Sequence, residues 1–295
     1  MTVYNAFQDT YQIESIKRTL EKSFQHWGGI EAVLKGKRNI LLKPNLIKPY
    51  PAESGVTTHP QFILAIAELL LDNGCTVSIA DSPALGSVDQ CMRKLGLDGE
   101  LAKRGVPFFT FNKARYFKGR SIRYPVLGVA DEIFEFDGLI NLPKLKTHCQ
   151  TRFTGAVKNL YGCVPGKRKV LRHMISGNNL HSFMKMIVRN AEIVAPFLTI
   201  ADGIHSLHKH GPTRGEIYPL HSILISDDFF ELDWAFCRLI NLSPENTPLF
   251  QASGLSFDQQ DIHGDPWDVH KDFVHAKRMA IAFYPIRVFK LLSRQ

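Results

Sequence analysis

Lysine and histidine side chains are concentrated in residues 141–173 of the chain. Lys144, Lys146 and His148 follow a short apolar segment, and a Thr-Gly pair then precedes a predicted helix that contains Lys158. Ammonium groups bind carboxylates and phosphates, histidine exchanges protons near neutral pH, and the free N–H groups at the start of a helix attract anions. The alternative for each residue taken alone is an exposed basic side chain. Together they predict an anion site with acid–base groups beside it.

Polar side chains also follow other apolar segments that we predict as strands, at 39–42, 76–80 and 198–201. Ligands of open α/β sheets bind at the carboxyl ends of the strands, so we expect these side chains to share one cleft. The alternative is that Asp and Ser residues there only cap the following helices. The predicted catalytic residues are His148, Lys158, His173 and Asp81, and the predicted substrate-binding residues are Lys43, Asn45, Thr58, His59, Ser82, Lys144, Lys146, Asn159 and Asp202.

Within this set the lysines would hold a carboxylate or phosphate. The two histidines would act as acid and base, or as ligands of a metal or cofactor, and the two aspartates would orient them or bind a cation. His205, His208 and His210 have a spacing that a metal site could use. A solvated loop is the favoured interpretation of that run, so the sequence assigns no metal and names no cofactor.

The order of the predicted elements indicates the fold class. Strands alternate with helices along the chain, which predicts an α/β fold with a mainly parallel, doubly wound, Rossmann-like sheet. Residues 116–127 alternate in polarity and predict a small inserted hairpin or subdomain. The length of 295 residues fits a single α/β domain over residues 1–295 or two intimate lobes. The predicted helices include 13–27, 61–71, 88–95, 153–160, 180–194, 230–240 and 247–252.

The composition restricts the class of partner. The net charge of +8 fits either a solvated basic surface or an anionic ligand, and the clustering of basic residues favours the ligand. No nucleic-acid-binding motif accompanies these clusters, which disfavours nucleic acid. The five cysteines are scattered without a CxxC pair, and neither a secretory leader nor a membrane-spanning apolar run is recognised. These features predict a cytoplasmic protein without an iron–sulfur module.

The C-terminal segment, residues 273–295, mixes apolar and basic residues, and its last 21 residues contain no acid. Such a pattern suits a closing helix on the sheet, a homodimer contact, or a segment that lies on an anionic membrane surface. Packing within the protein or its dimer is the favoured interpretation.

Several motifs occur in a fixed order from about residue 39 to 265: KPNLIKP, GVTTHP, IADSPA, NLPKLKTH, TGAVKNLYGCVPGKRK, GPTRGE and SDDFFELDWAF. In this set the chain resembles the uncharacterised domain-of-unknown-function 362 family. Many members of that family carry an added ferredoxin-like module with repeated CxxC, which this sequence lacks. The resemblance therefore implies no built-in electron-transfer centre.

A second resemblance is to the N-terminal part of the nickel-pincer lactate racemases. His148, Lys158 and His173, with Pro165-Gly166, match the order and approximate spacing of a racemase block. The turn at Asp81-Ser82 takes the place of a racemase loop that carries a catalytic histidine, and no histidine stands there. This resemblance implies a related fold and cleft more than a shared reaction.

These observations predict an enzyme that acts on a small or mid-sized anionic metabolite. Its reaction would be proton transfer, as in an isomerase or racemase, or redox chemistry with a separable partner. The alternative is a non-catalytic protein that binds an anion or cofactor, or a scaffold that docks a redox partner or a membrane surface.

Overall fold

The structure is a computed structural model, and it describes residues 3–166, 179–257 and 262–278. The strands are β1 (Val3–Phe7), β2 (Asn39–Pro44), β3 (Thr76–Asp81), β4 (Phe108–Thr110), β5 (Ala114–Ser121), β6 (Tyr124–Ala130), β7 (Gly138–Leu142), β8 (Lys144–His148), β9 (Arg152–Thr154), β10 (Leu198–His208), β11 (Glu216–Ser226) and β12 (Ile262–Gly264). The helices are α1 (Ile13–Phe24), α2 (Ile30–Leu34), α3 (Pro60–Asp72), α4 (Val88–Leu95), α5 (Asp98–Lys103), α6 (Ala156–Asn159), α7 (Leu180–Val194), α8 (Phe229–Leu239) and α9 (Pro248–Ser253).

A 10-stranded sheet organises the described residues, with the main order β12-β1-β11-β10-β7-β2-β3-β4. The half from β10 to β4 is parallel throughout, whereas β11 runs antiparallel to its neighbours β10 and β1. β8 lies parallel beside β10 and carries β9 on its other side. β5 and β6 form a separate antiparallel hairpin. The fold class predicted from the sequence, a mainly parallel α/β sheet with a small hairpin, is confirmed.

The sheet is apolar on both faces because successive side chains of a strand point to opposite sides. In β2, Ile40 and Leu42 belong to one core cluster and Leu41 to the other. Residues of α1, α3, α4 and α5 pack into the first cluster, and residues of α6, α7, α8 and α9 pack into the second together with the hairpin. Helices on both faces make the sheet doubly wound.

The largest differences from the sequence prediction lie in residues 144–160. Lys144–His148 forms strand β8, where we predicted a loop. Four of its five residues are polar, so only Leu145 could have indicated a buried strand. The helix predicted over 153–160 is divided into β9 and the four-residue α6. Gly155, between them, has extended backbone angles that a helix does not allow.

Two further differences concern the first strand and a predicted strand end. β1 was not predicted. β10 continues to His208, so Asp202 lies inside the strand rather than beyond its end, next to an irregularity between Gly203 and His205.

Candidate functional site

A buried ion pair joins the carboxyl ends of β2 and β3. The Nζ of Lys43 lies 2.8 Å from Oδ1 of Asp81 and also donates to the carbonyl of Pro44. Asp81 accepts further hydrogen bonds from the backbone N–H groups of Leu46 and Ser82. Both oxygens of this predicted catalytic carboxylate therefore have donors, which suits an orienting function better than proton exchange.

Three asparagines connect this pair to β7, β8 and α6. Asn159 accepts from Nδ2 of Asn45 at 2.9 Å and donates to the backbone of Lys43 and to Oδ1 of Asn141. Asn45 in turn accepts from Nζ of Lys146 at 3.3 Å. Five of the predicted site residues, Lys43, Asn45, Asp81, Lys146 and Asn159, thus belong to one continuous polar network with Asn141, which the sequence analysis did not select.

Thr58 stands at the edge of the same network. Its hydroxyl accepts from the backbone N–H of Asn45 at 2.8 Å and donates to the carbonyl of Leu142 at 2.7 Å. Thr58 therefore holds the ends of β2 and β7 together through its side chain, a structural function beside the substrate contact predicted for it.

The packing around the Lys43–Asp81 ion pair leaves no room for a side chain at Gly162. A Cβ there would overlap Oδ1 of Asp81 and Nζ of Lys43. Its carbonyl accepts from the backbone N–H of Ser82 at 3.1 Å, and the Ser82 hydroxyl accepts from Gly166. The Gly-rich turn after α6 thus closes over the ion pair.

A second buried network surrounds Asp202 on β10. Its carboxylate lies 2.8 Å from Nζ of Lys144. It also accepts hydrogen bonds from the hydroxyl of Tyr11 and from the backbone N–H of His59. The His59 ring stacks on Tyr11 with 3.6 Å between ring centroids. Burial lowers the pKa of His59 to about 4 and raises that of Tyr11 well above its usual range, with Asp202 adding to the rise. The imidazole of His59 is therefore neutral near pH 7.

Lys146 and Lys158 differ from Lys43 and Lys144 because neither has an ion pair within the described residues. Lys146 is fully buried, and its acceptors among the described residues are Oδ1 of Asn45 and the carbonyl of Val56. Its pKa is lowered well below the usual range, first by burial and then by the positive charge of Lys158. Burial also lowers the pKa of Lys158 to about 8. Nothing in the described part of the chain therefore compensates the ammonium forms of these two lysines.

His148 ends strand β8. Its Nδ1 accepts from the backbone N–H groups of Gln150 and Thr151, at 3.1 and 3.3 Å. A ring nitrogen that accepts two N–H groups needs its lone pair, so the proton of the neutral ring sits on Nε2. The turn after β8 thus fixes the tautomer of the predicted acid–base residue.

The anion predicted at the start of α6 is a side chain of the protein itself. Asp233, on α8, accepts from the backbone N–H groups of Ala156 and Val157 at 2.6 and 3.0 Å. A Cβ on Gly155 would overlap its carboxylate. Burial raises the pKa of Asp233 to about 7, against the opposing effect of the two N–H groups. The prediction of a ligand anion at this helix start is therefore wrong, because the position is already occupied.

Other predicted features are placed as follows. His173 and residues 279–295 lie outside the described residues. The start of the C-terminal segment packs on β8, where the N–H of Ala276 donates to Thr147.

No group of three or more His, Cys, Asp or Glu side chains in the described ranges is arranged to hold a metal ion. None of the helices described is long and apolar enough to cross a bilayer.

The fold and this network define an α/β protein with buried lysines, asparagines and aspartates at the carboxyl edge of a parallel sheet. The family model described as domain of unknown function (DUF362) matches residues 40–238. The chain belongs to this family, as its motifs predicted.

The chain is similar to a curated relative and to solved structures, of which two are described. A "thylakoid-associated protein" from Synechocystis is 33% identical over 243 residues, which cover 82% of this chain and 75% of that protein. The crystal structure of a protein from Thermotoga maritima aligns with a TM-score of 0.50 and 15% identity, over 84% of this chain and 60% of that one. The lactate racemase apoprotein from Thermoanaerobacterium thermosaccharolyticum aligns with a TM-score of 0.49 and 14% identity, over 78% of this chain and 55% of the racemase chain. This chain thus spans less than two thirds of each solved structure, and at such identities the likeness concerns the fold alone.

Proposed function

We propose that this protein is an enzyme that binds a small anionic metabolite beside Lys146 and Lys158 and transfers a proton to or from it. The observation that carries the proposal is the pair of lysines without a carboxylate partner among the described residues. Buried positive charge is costly unless it is paired, so a bound carboxylate or phosphate would stabilise both ammonium groups.

The charge balance of the site supports an anionic ligand. Lys43 and Lys144 are each neutralised by an aspartate, which leaves the charges of Lys146 and Lys158. A bound anion would raise the pKa of both lysines, so binding would be accompanied by proton uptake. Affinity would therefore fall as the pH rises above about 8, the pKa of Lys158.

The same residues suit acid–base chemistry. A lysine with a pKa of about 8 is partly neutral near physiological pH and can act as a general base. The neutral fraction of Lys158 that remains in the complex would remove a proton from the substrate carbon next to a carboxylate held by Lys146, and the resulting ammonium would return it. His148, with its tautomer fixed, would be the second proton donor, and the assignment of His173 stays a prediction.

Hydrogen–deuterium exchange at carbon tests this proposal without knowledge of the product. The protein would be incubated in D₂O with a panel of 2-hydroxy and 2-oxo carboxylates, and the substrate protons followed by NMR. We expect exchange with at least one probe, its loss in Lys158→Met, and its retention in Lys113→Met, which removes an exposed lysine elsewhere. Exchange that survives in Lys158→Met would contradict the assignment.

A non-catalytic anion-binding or scaffold protein is the second candidate. It is favoured by the extent to which the two aspartate networks are buried and internally hydrogen-bonded. Under this alternative, phosphate or a carboxylate would raise the melting temperature, in a salt-sensitive manner, without any proton exchange. Absorbance spectra and elemental analysis of the purified protein would reveal a bound chromophore or metal.

The cytoplasmic location predicted from the sequence is also kept as a proposal. The name of the Synechocystis relative associates that protein with thylakoids, so a position on a membrane surface is the location to test against a freely diffusing protein. Cell fractionation with and without a high-salt wash would distinguish the two.

A further inference from the structure

The β5–β6 hairpin combines positive charge with an exposed apolar tip. Residues 112–130 contain five basic side chains and no acidic one. Ile122, in the turn between the strands, is 100% exposed, and Val126 on β6 is 56% exposed. Single exposed apolar residues are common, so Ile122 gains significance only from its position at the end of a basic projection.

The register of the hairpin divides it into an inner and an outer face. Phe117 and Leu127 are cross-strand partners, and both pack on the core of the protein. Lys118 and Val126 are the next cross-strand pair, so their side chains lie on the opposite face. That outer face is exposed and offers one cation beside an apolar side chain, with Ile122 beyond them.

A cavity of about 230 Å³ lies on the inner side of the hairpin tip, against α7. Arg120 and Ser121 line it from the hairpin, and Lys185, Arg189 and Glu192 line it from the helix. The cavity is separate from the buried lysine network, and no residue is common to the two.

The cavity carries more positive than negative charge. Glu192 Oε2 lies 2.9 Å from Nη1 of Arg120 and 3.0 Å from Nη1 of Arg189, so one carboxylate is shared by two guanidinium groups. Lys185 is exposed and has no ion pair within the described ranges. The Nε of Arg189 is buried and has no acceptor among the residues that the structure describes. Three cations, one carboxylate and an unused donor suit a phosphate group.

We propose that the β5–β6 hairpin docks on an anionic lipid bilayer. Ile122 enters the boundary between headgroups and acyl chains, the flanking basic side chains contact lipid phosphates, and the cavity beside α7 holds one phosphate headgroup. An apolar tip between cations is what binding at a charged membrane interface requires, since burial and electrostatic attraction then act together. A nucleic acid or an acidic protein patch would match the charges but offer no apolar layer for Ile122.

Vesicle co-sedimentation of the full chain tests this surface. We expect binding to phosphatidylcholine vesicles that contain 30% phosphatidylglycerol, and little binding to pure phosphatidylcholine, in 0.1 M salt. Ile122→Asp should weaken partitioning by at least about fivefold and Lys185→Glu by about 25-fold, since each unit of charge near such a surface changes affinity about fivefold and the second substitution changes the charge by two units. The matched controls are Leu85→Asp and Lys94→Glu, which place the same charge changes at exposed positions away from the hairpin.

Two results of this experiment would overturn membrane docking by the hairpin. Equal binding of the two vesicle types, or no binding, overturns it. Binding to anionic vesicles that the hairpin variants leave unchanged assigns the contact to another surface and also overturns it. Unchanged melting temperatures of Ile122→Asp and Lys185→Glu show that the fold is intact.

A second variant gives a positive signal for insertion. Ile122→Trp keeps the tip apolar, so it should bind as the parent protein does. Its added fluorescence should shift to shorter wavelength on anionic vesicles and be quenched by lipids brominated near the headgroup. An unshifted and unquenched spectrum in the bound state would contradict insertion of the tip.

Discussion

Two pairs of lysines at the same sheet edge differ in how their charge is compensated. Lys43 and Lys144 each lie 2.8 Å from an aspartate, and those aspartates accept further hydrogen bonds from the backbone. Lys146 and Lys158 have lowered pKa values and no aspartate or glutamate partner in the described part of the chain. The first pair connects strands and stabilises the fold, whereas the second pair retains charge that a ligand can neutralise. A buried lysine is thus informative about function when its counter-charge is missing.

The largest test of this comparison removes a counter-charge. Asp202→Ala leaves Lys144 buried without an anion and deprives Tyr11 and His59 of their acceptor. We expect a loss of about 3–5 kcal/mol in the free energy of unfolding, the usual cost of breaking a buried pair. Urea denaturation measures it. The double variant Lys144→Met/Asp202→Leu should recover much of the loss, and a loss below about 1 kcal/mol would show that the pair is not structural.

A smaller loss of stability is expected when a side chain is placed against Lys43, the other paired lysine. Gly162→Ala places a Cβ against Lys43 and Asp81 and should cost about 1–3 kcal/mol, as overpacking of a well-packed interior does. Gly99→Ala is the control, because α5 offers open space at that glycine and alanine favours a helix. Equal melting temperatures for the two variants would mean that the turn over the ion pair adapts freely.

The smallest loss of stability is expected for the unpaired lysines. Lys158→Met should not lower the free energy of unfolding at pH 7 and should raise it, since it removes a partly buried charge that has no counter-charge in the described part of the chain. The folded pKa of Lys158 is about 8 and an unfolded lysine titrates near ~10.4. The unfolded chain therefore binds more protons between these values, and the parent protein should gain stability relative to the variant as the pH rises from 8 to about 10.

Denaturation of both proteins at several pH values measures this difference. A gap that is constant with pH would show that Lys158 titrates alike in the folded and unfolded chains. A loss in Lys158→Met as large as that in Asp202→Ala would remove the distinction between the two pairs of lysines.

Local signals in the sequence were sufficient for much of the fold. The structure begins and ends α7 at the predicted residues, because apolar side chains recur at helical spacing and Asn179 caps the first turn with its side chain. The hairpin and the parallel strands likewise follow from alternation and from apolar runs. Lys144–His148 was misassigned because four of its five residues are polar although all five are buried, so the segment lacks the apolar run that marks a buried strand.

The site was predictable where its residues follow strands, and not where they come from elsewhere. Tyr11 stands 191 positions from Asp202, before a helix that gives no indication of this contact. Asp233 had one signal, a carboxylate between apolar residues of a buried helix, but the sequence alone does not say which backbone groups it would meet. Long-range partners of this type require the topology first.

The Thr58 hydroxyl has a consequence for amide exchange with solvent. The hydroxyl accepts a hydrogen bond from the N–H of Asn45, which lies beyond the last paired residue of β2. A backbone amide in such a loop ordinarily exchanges with solvent whenever the loop opens locally. We expect the Asn45 amide to exchange with solvent only when the β2–β7 part of the sheet opens, because the same hydroxyl donates to the carbonyl of Leu142. Thr58→Val would then free the Asn45 amide selectively, which makes this single proton a reporter of whether the sheet edge is closed.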